Sequence, residues 1–425
     1  MAKKIKLSPF LFLNPEKCIG CGNCIRSCQK QGLNHLKLEK NRPRPIKENP
    51  CINCGMCLTH CPVKALSGPN DLERVKKLLA DKRKIVVCQF APAIRATIGE
   101  AFNLEANSDA TGRLVAAFRK TGFQAVFDTC LGADITTYEE SQESLEKIKQ
   151  GGLPLLSSCC PAWVKFVQDH YPQLLNHLST VRPPQIILGG LIKKLWASKQ
   201  KINPQEVIVV SIMPCLAKKY EIEQKKFLID GLKPVDYVLT TREAIQLFEE
   251  QGIDLKQVEP ASLINGWLQP SGGGIIYGAS GGVMNSLLRT ASQLANQPDL
   301  LKTKFSPFKK TVNLKTAVIN LKGKSFRLAI ANGLENIDLL LKKVLSQPGK
   351  FACLEVMACP DGCIGGGGQP FPASQEVKEK RAAILRQIDK QKKIKNSPQN
   401  PFLQKIYQQF LSRKEIRYAI CYTHH

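Results

Sequence analysis

The sequence predicts three parts in series: a small α+β module, an α/β domain with partly parallel sheets, and a helical C-terminal extension. Eight cysteines fall in two identical quartets within the first 66 residues. Apolar runs typical of buried strands then alternate with helical patterns, and a segment rich in Lys, Gln and Glu begins near residue 376. We therefore expect domains over residues 1–66, 67–375 and 376–425.

The composition is that of a folded protein able to bury a sizeable core. The chain has 425 residues, of which 43% are hydrophobic and 23% are charged. No apolar run approaches the ~18–20 residues of a membrane span, and the N-terminal run is too short for a secretion signal. We expect a cytoplasmic protein. Seventeen cysteines in that reducing compartment favour metal ligation over disulfides.

The charge is strongly basic. Lys and Arg number 61 against 35 Asp and Glu, a formal net charge of +26. Such a surface suits nucleic acid, an anionic membrane or an acidic protein partner. The sequence has no zinc-finger spacing and no RNP-like motif, which disfavours nucleic-acid binding.

In the central domain the pattern begins with a predicted helix over residues 72–82. Predicted buried strands follow at 85–87, 125–127, 207–210, 237–239, 326–331 and 351–356. Thr240 followed three residues later by Glu243 predicts a capping box that opens a helix over 243–250. In α/β folds, ligand sites gather beyond the C-terminal ends of parallel strands, so the functional residues should follow these strands.

Both N-terminal quartets have the spacing C-x2-C-x2-C-x3-C. They are Cys18, Cys21, Cys24 and Cys28, then Cys51, Cys54, Cys57 and Cys61. In this ferredoxin-like arrangement three thiolates bind one 4Fe-4S cubane and the fourth reaches the other cluster. We therefore assign Cys61 to the cluster of the first three cysteines and Cys28 to the cluster of Cys51. A zinc double knuckle is the alternative, but it uses two pairs of ligands.

The cluster module carries much of the positive charge. Residues 1–64 contain 12 Lys or Arg against 3 Asp or Glu. Since 4Fe-4S clusters carry single electrons, the module should relay electrons from an external carrier. An acidic ferredoxin or flavodoxin would be steered to this surface, although a merely basic surface remains the alternative.

Three further cysteine motifs lie far apart in the sequence. The first holds Cys159 and Cys160, the second Cys215, and the third Cys359 and Cys363. The second and third directly follow predicted strands, so the loops can converge. They supply five thiols where a third cubane needs four.

The third motif continues into four glycines, Gly365 to Gly368. A phosphate-cradling loop is one explanation, but the Lys-Ser/Thr pair that such loops require is absent. Close approach of the backbone to a cluster explains the glycines better.

These three segments, in this order, closely resemble the signature segments of the iron-only (FeFe) hydrogenases, and the resemblance covers nearly the whole chain from Cys18 onward. It implies reversible reduction of protons to dihydrogen at an H-cluster, a 4Fe-4S cubane bridged to a two-iron subsite with CO, CN and azadithiolate ligands. It also implies electron supply by ferredoxin or flavodoxin through the two N-terminal clusters, and insertion of the subsite by maturation proteins.

The resemblance assigns roles to individual residues. The implied cubane ligands are Cys160, Cys215, Cys359 and Cys363, the last bridging to the subsite. Cys159 is implied to exchange protons with the bridging amine, and a thiol suits this because its ordinary pKa is ~8.5. Lys218 is implied to donate charge-assisted hydrogen bonds to a cyanide.

The resemblance also implies an enclosing wall. The matching residues are Ala91, Pro92, Ala93, Pro184, Gln185, Met213, Met357 and Tyr277. Tyr277 stands where the family usually has phenylalanine. The alternative for this set is ordinary core packing.

A buried site that consumes protons needs a relay to water. Glu140, Glu143 and Ser179 match the family's relay, and Lys147 replaces an arginine sometimes found near its mouth. The i, i+3 spacing puts both glutamates on one helical face. A solvated charged helix with Glu139 and Glu146 is the alternative.

A second function stays open, that of a non-catalytic hydrogenase-like protein for iron-sulfur assembly or sensing. Such relatives commonly lose the thiol that matches Cys159, and this chain keeps it. Cys88, Cys353 and Cys421 fit no ligand pattern and are interpreted as small buried apolar residues.

Overall fold

The computed structural model describes residues 4–48, 50–104, 110–321, 323–370 and 373–424. It confirms the predicted fold class: a ferredoxin-like N-terminal module, an α/β part with one parallel and one mixed sheet, and a helical C-terminal segment. Within these ranges, no helix combines the length and the apolar character needed to cross a membrane.

The N-terminal module is a small antiparallel structure with two short helices. Its elements are β1 Ile5–Ser8, β2 Leu11–Leu13, α1 Asn23–Lys30, β3 Leu36–Glu39, β4 Arg42–Pro45, α2 Met56–Thr59 and β5 Leu66–Ser67. Strands β1, β2 and β5 form one sheet, and β3 pairs with β4. Gly22 and Gly55 precede the two helices with φ of 73° and 77°, a conformation that favours glycine.

The central part begins with an all-parallel sheet of order β10-β9-β6-β7. Because the strands are parallel, their C-terminal ends share one edge, and the chain leaves β6, β7 and β9 there toward the site. The elements to this point are α3 Leu72–Ala80, β6 Ile85–Phe90, α4 Pro92–Ala101, α5 Thr111–Lys120, β7 Ala125–Asp128, α6 Thr129–Gln150, β8 Leu155–Leu156, α7 Pro161–His170, α8 Pro184–Leu191, α9 Ala197–Lys199, β9 Val207–Met213, α10 Ala217–Glu221, β10 Tyr237–Thr240 and α11 Thr241–Glu250.

The second sheet is mixed and has the order β11-β12-β13-β14-β8. Strands β13, β14 and β8 run parallel, whereas β11, β12 and β13 are antiparallel. The first and third cysteine motifs follow β8 and β14, so they leave the same edge. The remaining elements of this part are α12 Gly272–Ile276, α13 Gly282–Leu294, β11 Ser306–Pro307, β12 Leu314–Leu321, β13 Lys324–Asn332, α14 Ile337–Leu345 and β14 Phe351–Met357.

The C-terminal segment packs on the central part as a set of helices. Its helices are α15 Gln375–Gln391, α16 Pro401–Ile406 and α17 Lys414–Cys421. Beyond α17, Tyr422 forms an isolated antiparallel bridge with Val181. The chain therefore returns to the central part at its end.

Most predicted elements are present, with longer strands than the apolar runs alone suggested. The helix predicted over 72–82 ends at Ala80, because Asp81 adopts an extended conformation and pairs with Arg83. The capping box is present: the Thr240 hydroxyl accepts from Glu243 N, and the Glu243 carboxylate accepts from Thr240 N at 2.7 Å. Strand β12 was not predicted, because it alternates buried and exposed residues and has no continuous apolar run.

Candidate active site

The three cysteine motifs meet at one cavity. Its lining includes all five thiols, those of Cys159, Cys160, Cys215, Cys359 and Cys363. Residues from distant parts of the chain are brought together because the motifs follow β8, β9 and β14 at the sheet edges. The sequence predicted that these loops could converge, and the structure places them so.

The walls of this cavity are mostly apolar. Every residue that the resemblance assigned to the enclosing wall lines it: Ala91, Pro92, Ala93, Pro184, Gln185, Met213, Met357 and Tyr277. Core packing alone does not describe these residues, since their side chains border an open volume. The structure thus brings the predicted wall and the predicted ligands to the same place.

The donor set of the cavity fits an iron-sulfur cluster. None of the described side chains that line it is a carboxylate, and its soft thiols are the ligands that such clusters prefer. Among the described residues, no group of three or more His, Cys, Asp or Glu side chains has the arrangement needed to hold a single metal ion. Zinc would need four ligands in one tetrahedral shell, whereas a cubane distributes its thiolates over four irons.

Burial keeps three of the predicted ligand thiols, those of Cys215, Cys359 and Cys363, neutral. Desolvation raises the pKa of Cys215 and of Cys363 to about 12, and raises that of Cys359 well above its ordinary value. Metal ligation needs thiolates, so binding a cluster here releases protons to solvent.

The N-terminal quartets are arranged as the crossed assignment requires. Cys18, Cys21 and Cys24 line a second cavity together with Cys61 of the other quartet. In the second group, burial raises the pKa of the Cys54 thiol, and the nearby Cys51 and Cys28 thiols raise this pKa further. Each predicted set of four is therefore grouped in space.

Replacing Cys28 by serine tests the crossing. We expect the cluster bound by Cys51, Cys54 and Cys57 to be lost or changed, because its fourth thiolate comes from α1. The cluster beside Cys18 should keep its electron paramagnetic resonance signal. Cys61→Ser is the matched variant and should do the reverse. Damage by Cys28→Ser to the first cluster alone would contradict the assignment.

The loop of the second quartet packs against the glycine run that follows Cys363. A Cβ added to Gly367 would lie 2.2 Å from the Cys54 carbonyl oxygen, and one on Gly366 would lie 2.3 Å from the Pro214 carbonyl oxygen. The glycine run is therefore required for close packing of the loops that carry Cys54 and Cys215. This contact makes the route between the N-terminal module and the cavity short.

Lys218 brings a positive charge to the cavity. Its Nζ donates to the Cys159 carbonyl oxygen at 3.0 Å and to the Glu221 carboxylate at 2.9 Å. Burial is the largest single effect and lowers its pKa, but the Glu221 charge, the hydrogen bond to Glu221 and the nearby Cys159 and Cys215 thiols together raise the pKa above the ordinary value. Gln185 also donates to Glu221. The sequence analysis missed Glu221, for which a charged residue three positions after Lys218 was the available signal.

The predicted relay residues lie along a path away from Cys159. Glu140 is buried on α6, and the Ser179 hydroxyl and the Ser158 backbone, next to Cys159, are close enough to Glu140 to lower its pKa. Ser179 Oγ donates to Glu143 Oε2 at 2.8 Å. Lys147 Nζ lies 3.8 Å from Glu143 Oε1. The groups therefore form a continuous polar connection.

The pKa of Glu140 lies in a range where its carboxyl group can both hold and release a proton near neutral pH. Burial, and then the nearby Glu143 charge, raise its pKa to about 8. Its Oε1 has no hydrogen-bond partner among the described residues. Burial, and then the Glu140 charge, also raise the Cys159 pKa well above its ordinary value. A solvated helix does not describe this region, because Glu139 and Glu140 are both buried.

A buried ion pair, which the sequence analysis did not predict, stabilises the cavity wall. Arg95 on α4 donates to Asp128 Oδ2 at 2.6 Å and to the Pro92 carbonyl oxygen at 2.9 Å. The two side chains of the ion pair are 0% and 1% exposed. This contact joins the start of α4 to the start of α6, the two elements that present Pro92 and Thr129 to the cavity.

Family models match most of the chain. Residues 84–367 match the C-terminal domain of the iron-only hydrogenase large subunit, and residues 12–67 match a 4Fe-4S dicluster domain. Residues 375–415 match the iron hydrogenase small subunit. The matched ranges follow the same three-part order as the fold.

Individual proteins are similar over most of their length. Iron hydrogenase 1 of Clostridium pasteurianum is 35% identical over 96% of this chain and 74% of its own. The large subunit of the periplasmic Fe hydrogenase of Nitratidesulfovibrio vulgaris is 35% identical over 88% and 90%. Bovine (Bos taurus) cytosolic iron-sulfur assembly component 3 is 30% identical over 79% and 72%.

Solved structures share the fold. An apo FeFe-hydrogenase of Chlamydomonas reinhardtii, in a cysteine-to-histidine variant, superimposes with a TM-score of 0.74 and 31% sequence identity. The match covers 84% of this chain and 99% of that one.

Proposed function

Because the chain belongs to the iron-only hydrogenase family, we propose that it catalyses the reversible reduction of two protons by two electrons to dihydrogen. Its cofactors are those of the family, two 4Fe-4S clusters and the H-cluster. The observation that carries the proposal is the convergence of five thiols on one cavity, with a carboxylate relay leading from the fifth.

Four of these thiols are proposed to hold the cluster and one to serve proton transfer. Cys160, Cys215, Cys359 and Cys363 would bind the cubane, and the last would bridge to the two-iron subsite. When bound, the H-cluster supplies the iron chemistry that combines protons with electrons. The chain contributes a water-poor apolar enclosure and, through Lys218, a fixed ammonium donor toward anionic ligands.

Protons are proposed to travel between solvent and the cavity along the relay. Lys147 and Glu143 lie at its outer end, and Ser179 links Glu143 to Glu140. Glu140 exchanges a proton with the Cys159 thiol, which presents it inside the cavity. The raised pKa values keep both inner groups protonated at neutral pH, as proton delivery requires.

Electrons are proposed to enter from a ferredoxin or flavodoxin through the N-terminal module. Cys21 of the first cluster site is exposed, whereas Cys54 of the second packs against Gly367 in the loop after Cys363. The excess of Lys and Arg in residues 1–64 supports an acidic carrier. The use of cysteines as metal ligands supports a reducing, cytoplasmic location. Insertion of the two-iron subsite would require hydrogenase maturation proteins.

Charge reversal at the module should weaken carrier-driven turnover selectively. With Lys17→Glu, we expect kcat/KM for a reduced acidic ferredoxin to fall about 10-fold at low salt, since steering raises association rates by 10- to 10³-fold. The rate with reduced methyl viologen should be unchanged. Lys405→Glu, an exposed site with the same charge change on α16, is the control. Equal effects of both variants would contradict a carrier site on the module.

A second function is carried by the similarity to iron-sulfur assembly component 3. A protein of that kind would keep the scaffold without turnover. Retention of Cys159 beside a complete relay favours turnover instead. The deciding experiment is hydrogen evolution from reduced methyl viologen by protein matured with the two-iron subsite. Infrared bands of iron-bound CO and CN without any dihydrogen would favour the second function.

A further inference from the structure

A buried carboxylate next to the relay is bound entirely by the C-terminal segment. Glu139 on α6 is 0% exposed. Arg417 donates to its two oxygens, from Nε at 2.9 Å and from a terminal nitrogen at 2.6 Å. The hydroxyls of Tyr407 and Tyr422 also donate to it. These three donors lie more than 260 residues further along the chain.

The same segment also pairs with the strand-like stretch that carries Ser179. Thr423 N donates to the Thr180 carbonyl oxygen at 2.8 Å, and Arg182 N donates to the Cys421 carbonyl oxygen at 2.7 Å. Tyr422 and Val181 form the antiparallel bridge between these contacts. The position of Ser179 is thereby fixed by backbone hydrogen bonds to the end of the chain.

The relay depends on the register of these two elements. Glu140 and Glu143 belong to α6, whereas Ser179 belongs to the other stretch, and the 2.8 Å contact between Ser179 and Glu143 joins them. A displacement of about 1 Å would open that hydrogen bond beyond the usual 2.7–3.2 Å range. Glu139 is one residue from Glu140, so fixing it sets the rotation of α6 about its own axis.

Stability alone is a weak reason for this arrangement. A buried ion pair is often no more stabilising than apolar residues of similar volume, and such pairs are best attested as devices that fix one geometry. Here the geometry that is fixed is that of the proton path. Gln142, which also accepts from Arg417, lies next to Glu143 on α6 and extends the same contact.

We propose that residues 401–424 form a C-terminal clamp that holds α6 and the Ser179 stretch in register for proton transfer, with Glu139, Arg417 and Tyr422 as positioning residues. This inference rests on the proposed hydrogenase function. It assigns to the C-terminal segment a role in proton delivery that is separate from holding the clusters.

Turnover of the matured enzyme is the first test. We expect Arg417→Met to slow hydrogen evolution about 10-fold or more, since small displacements of reacting groups can cost ~10²-fold. The solvent deuterium isotope effect should rise, and the infrared CO and CN bands should stay unchanged. Arg417→Lys, which keeps the charge, should recover part of the rate. Arg413→Met, an exposed arginine at the start of α17, is the matched control.

Hydrogen-deuterium exchange provides a readout that does not require turnover. In protein carrying its 4Fe-4S clusters but no two-iron subsite, amides of residues 139–147 should exchange faster in Arg417→Met than in Arg413→Met. Tyr422→Phe removes a single hydroxyl and should show a smaller change in the same direction. It carries the test if Arg417→Met does not fold.

Three results would contradict the proposed clamp. The clamp variants could evolve hydrogen at the wild-type rate, or their α6 amides could exchange as in wild type. The third is a loss of turnover that is accompanied by a loss of the infrared bands. The last result would place Arg417 at the clusters instead of the relay. Failure of the proposed function is distinct, because the wild-type protein itself would then evolve no dihydrogen despite complete infrared bands.

Discussion

Replacing Cys159 by alanine is expected to lower hydrogen evolution by about 10²- to 10⁴-fold, the usual contribution of a positioned acid or base. Among the proposed relay groups, the Cys159 thiol lines the cavity, and Glu140 follows it on the proposed path outward. Alanine removes the exchangeable proton and leaves an apolar methyl group in its place. Steady-state assays with reduced methyl viologen measure the loss.

The site itself should remain intact in this variant. Cys160, Cys215, Cys359 and Cys363 are untouched, so the infrared bands and the electron paramagnetic resonance of the clusters should match those of wild type. Cys88→Ala is the matched control, because Cys88 is fully buried in β6 and lines none of the described cluster cavities. Full activity of Cys159→Ala would show that Cys159 does not transfer protons, and the proposed relay would then lack a group that lines the cavity.

The cysteine framework was predictable because its information is local. Spacings of two and three residues place thiolates on one tight loop, and two such runs define two clusters before any tertiary contact is known. The motifs at Cys215 and Cys359 could be placed after strands, because β9 and β14 are continuous apolar runs. Parallel pairing then brings their ends to common edges.

The partners of the buried charges were not predictable in this way. Glu139 looks like one more acidic residue in a charged helix, and its donors lie just after α16, on α17 and just after α17. Arg95 and Asp128 are separated by a helix and a strand, yet they form one buried pair. Periodicity indicates which face of a helix is apolar, but which charge enters the core depends on a partner brought there by the fold.

The apolar enclosure and the raised pKa values have one physical origin. Burial disfavours charge, so the Cys215 thiol and Glu140 stay neutral until iron or a neighbouring group compensates. The same burial strengthens the Lys218 contact with Glu221. Burial in and beside one cavity therefore suits both proposed roles, a cluster site that releases protons on binding and a relay whose inner groups hold protons at neutral pH.

Glu140→Gln is expected to reduce hydrogen evolution by about 10²- to 10⁴-fold, because an amide occupies the same volume but cannot pass a proton between two states. In wild type the pKa of about 8 means that Glu140 is protonated below pH 8 and loses its proton above it. Hydrogen evolution consumes protons and should fall as the pH rises through 8. Hydrogen oxidation needs a proton acceptor and should rise over the same interval.

The variant should lose this pH dependence in both directions, with the infrared bands unchanged. Glu146→Gln provides the control, since Glu146 lies on the same helix but is exposed. The same amide substitution there removes a charge without interrupting the path, so its rate and pH profile should follow those of wild type. If both variants behaved alike, proton transfer would have to run outside α6, and the raised pKa of Glu140 would reflect burial without a role in turnover.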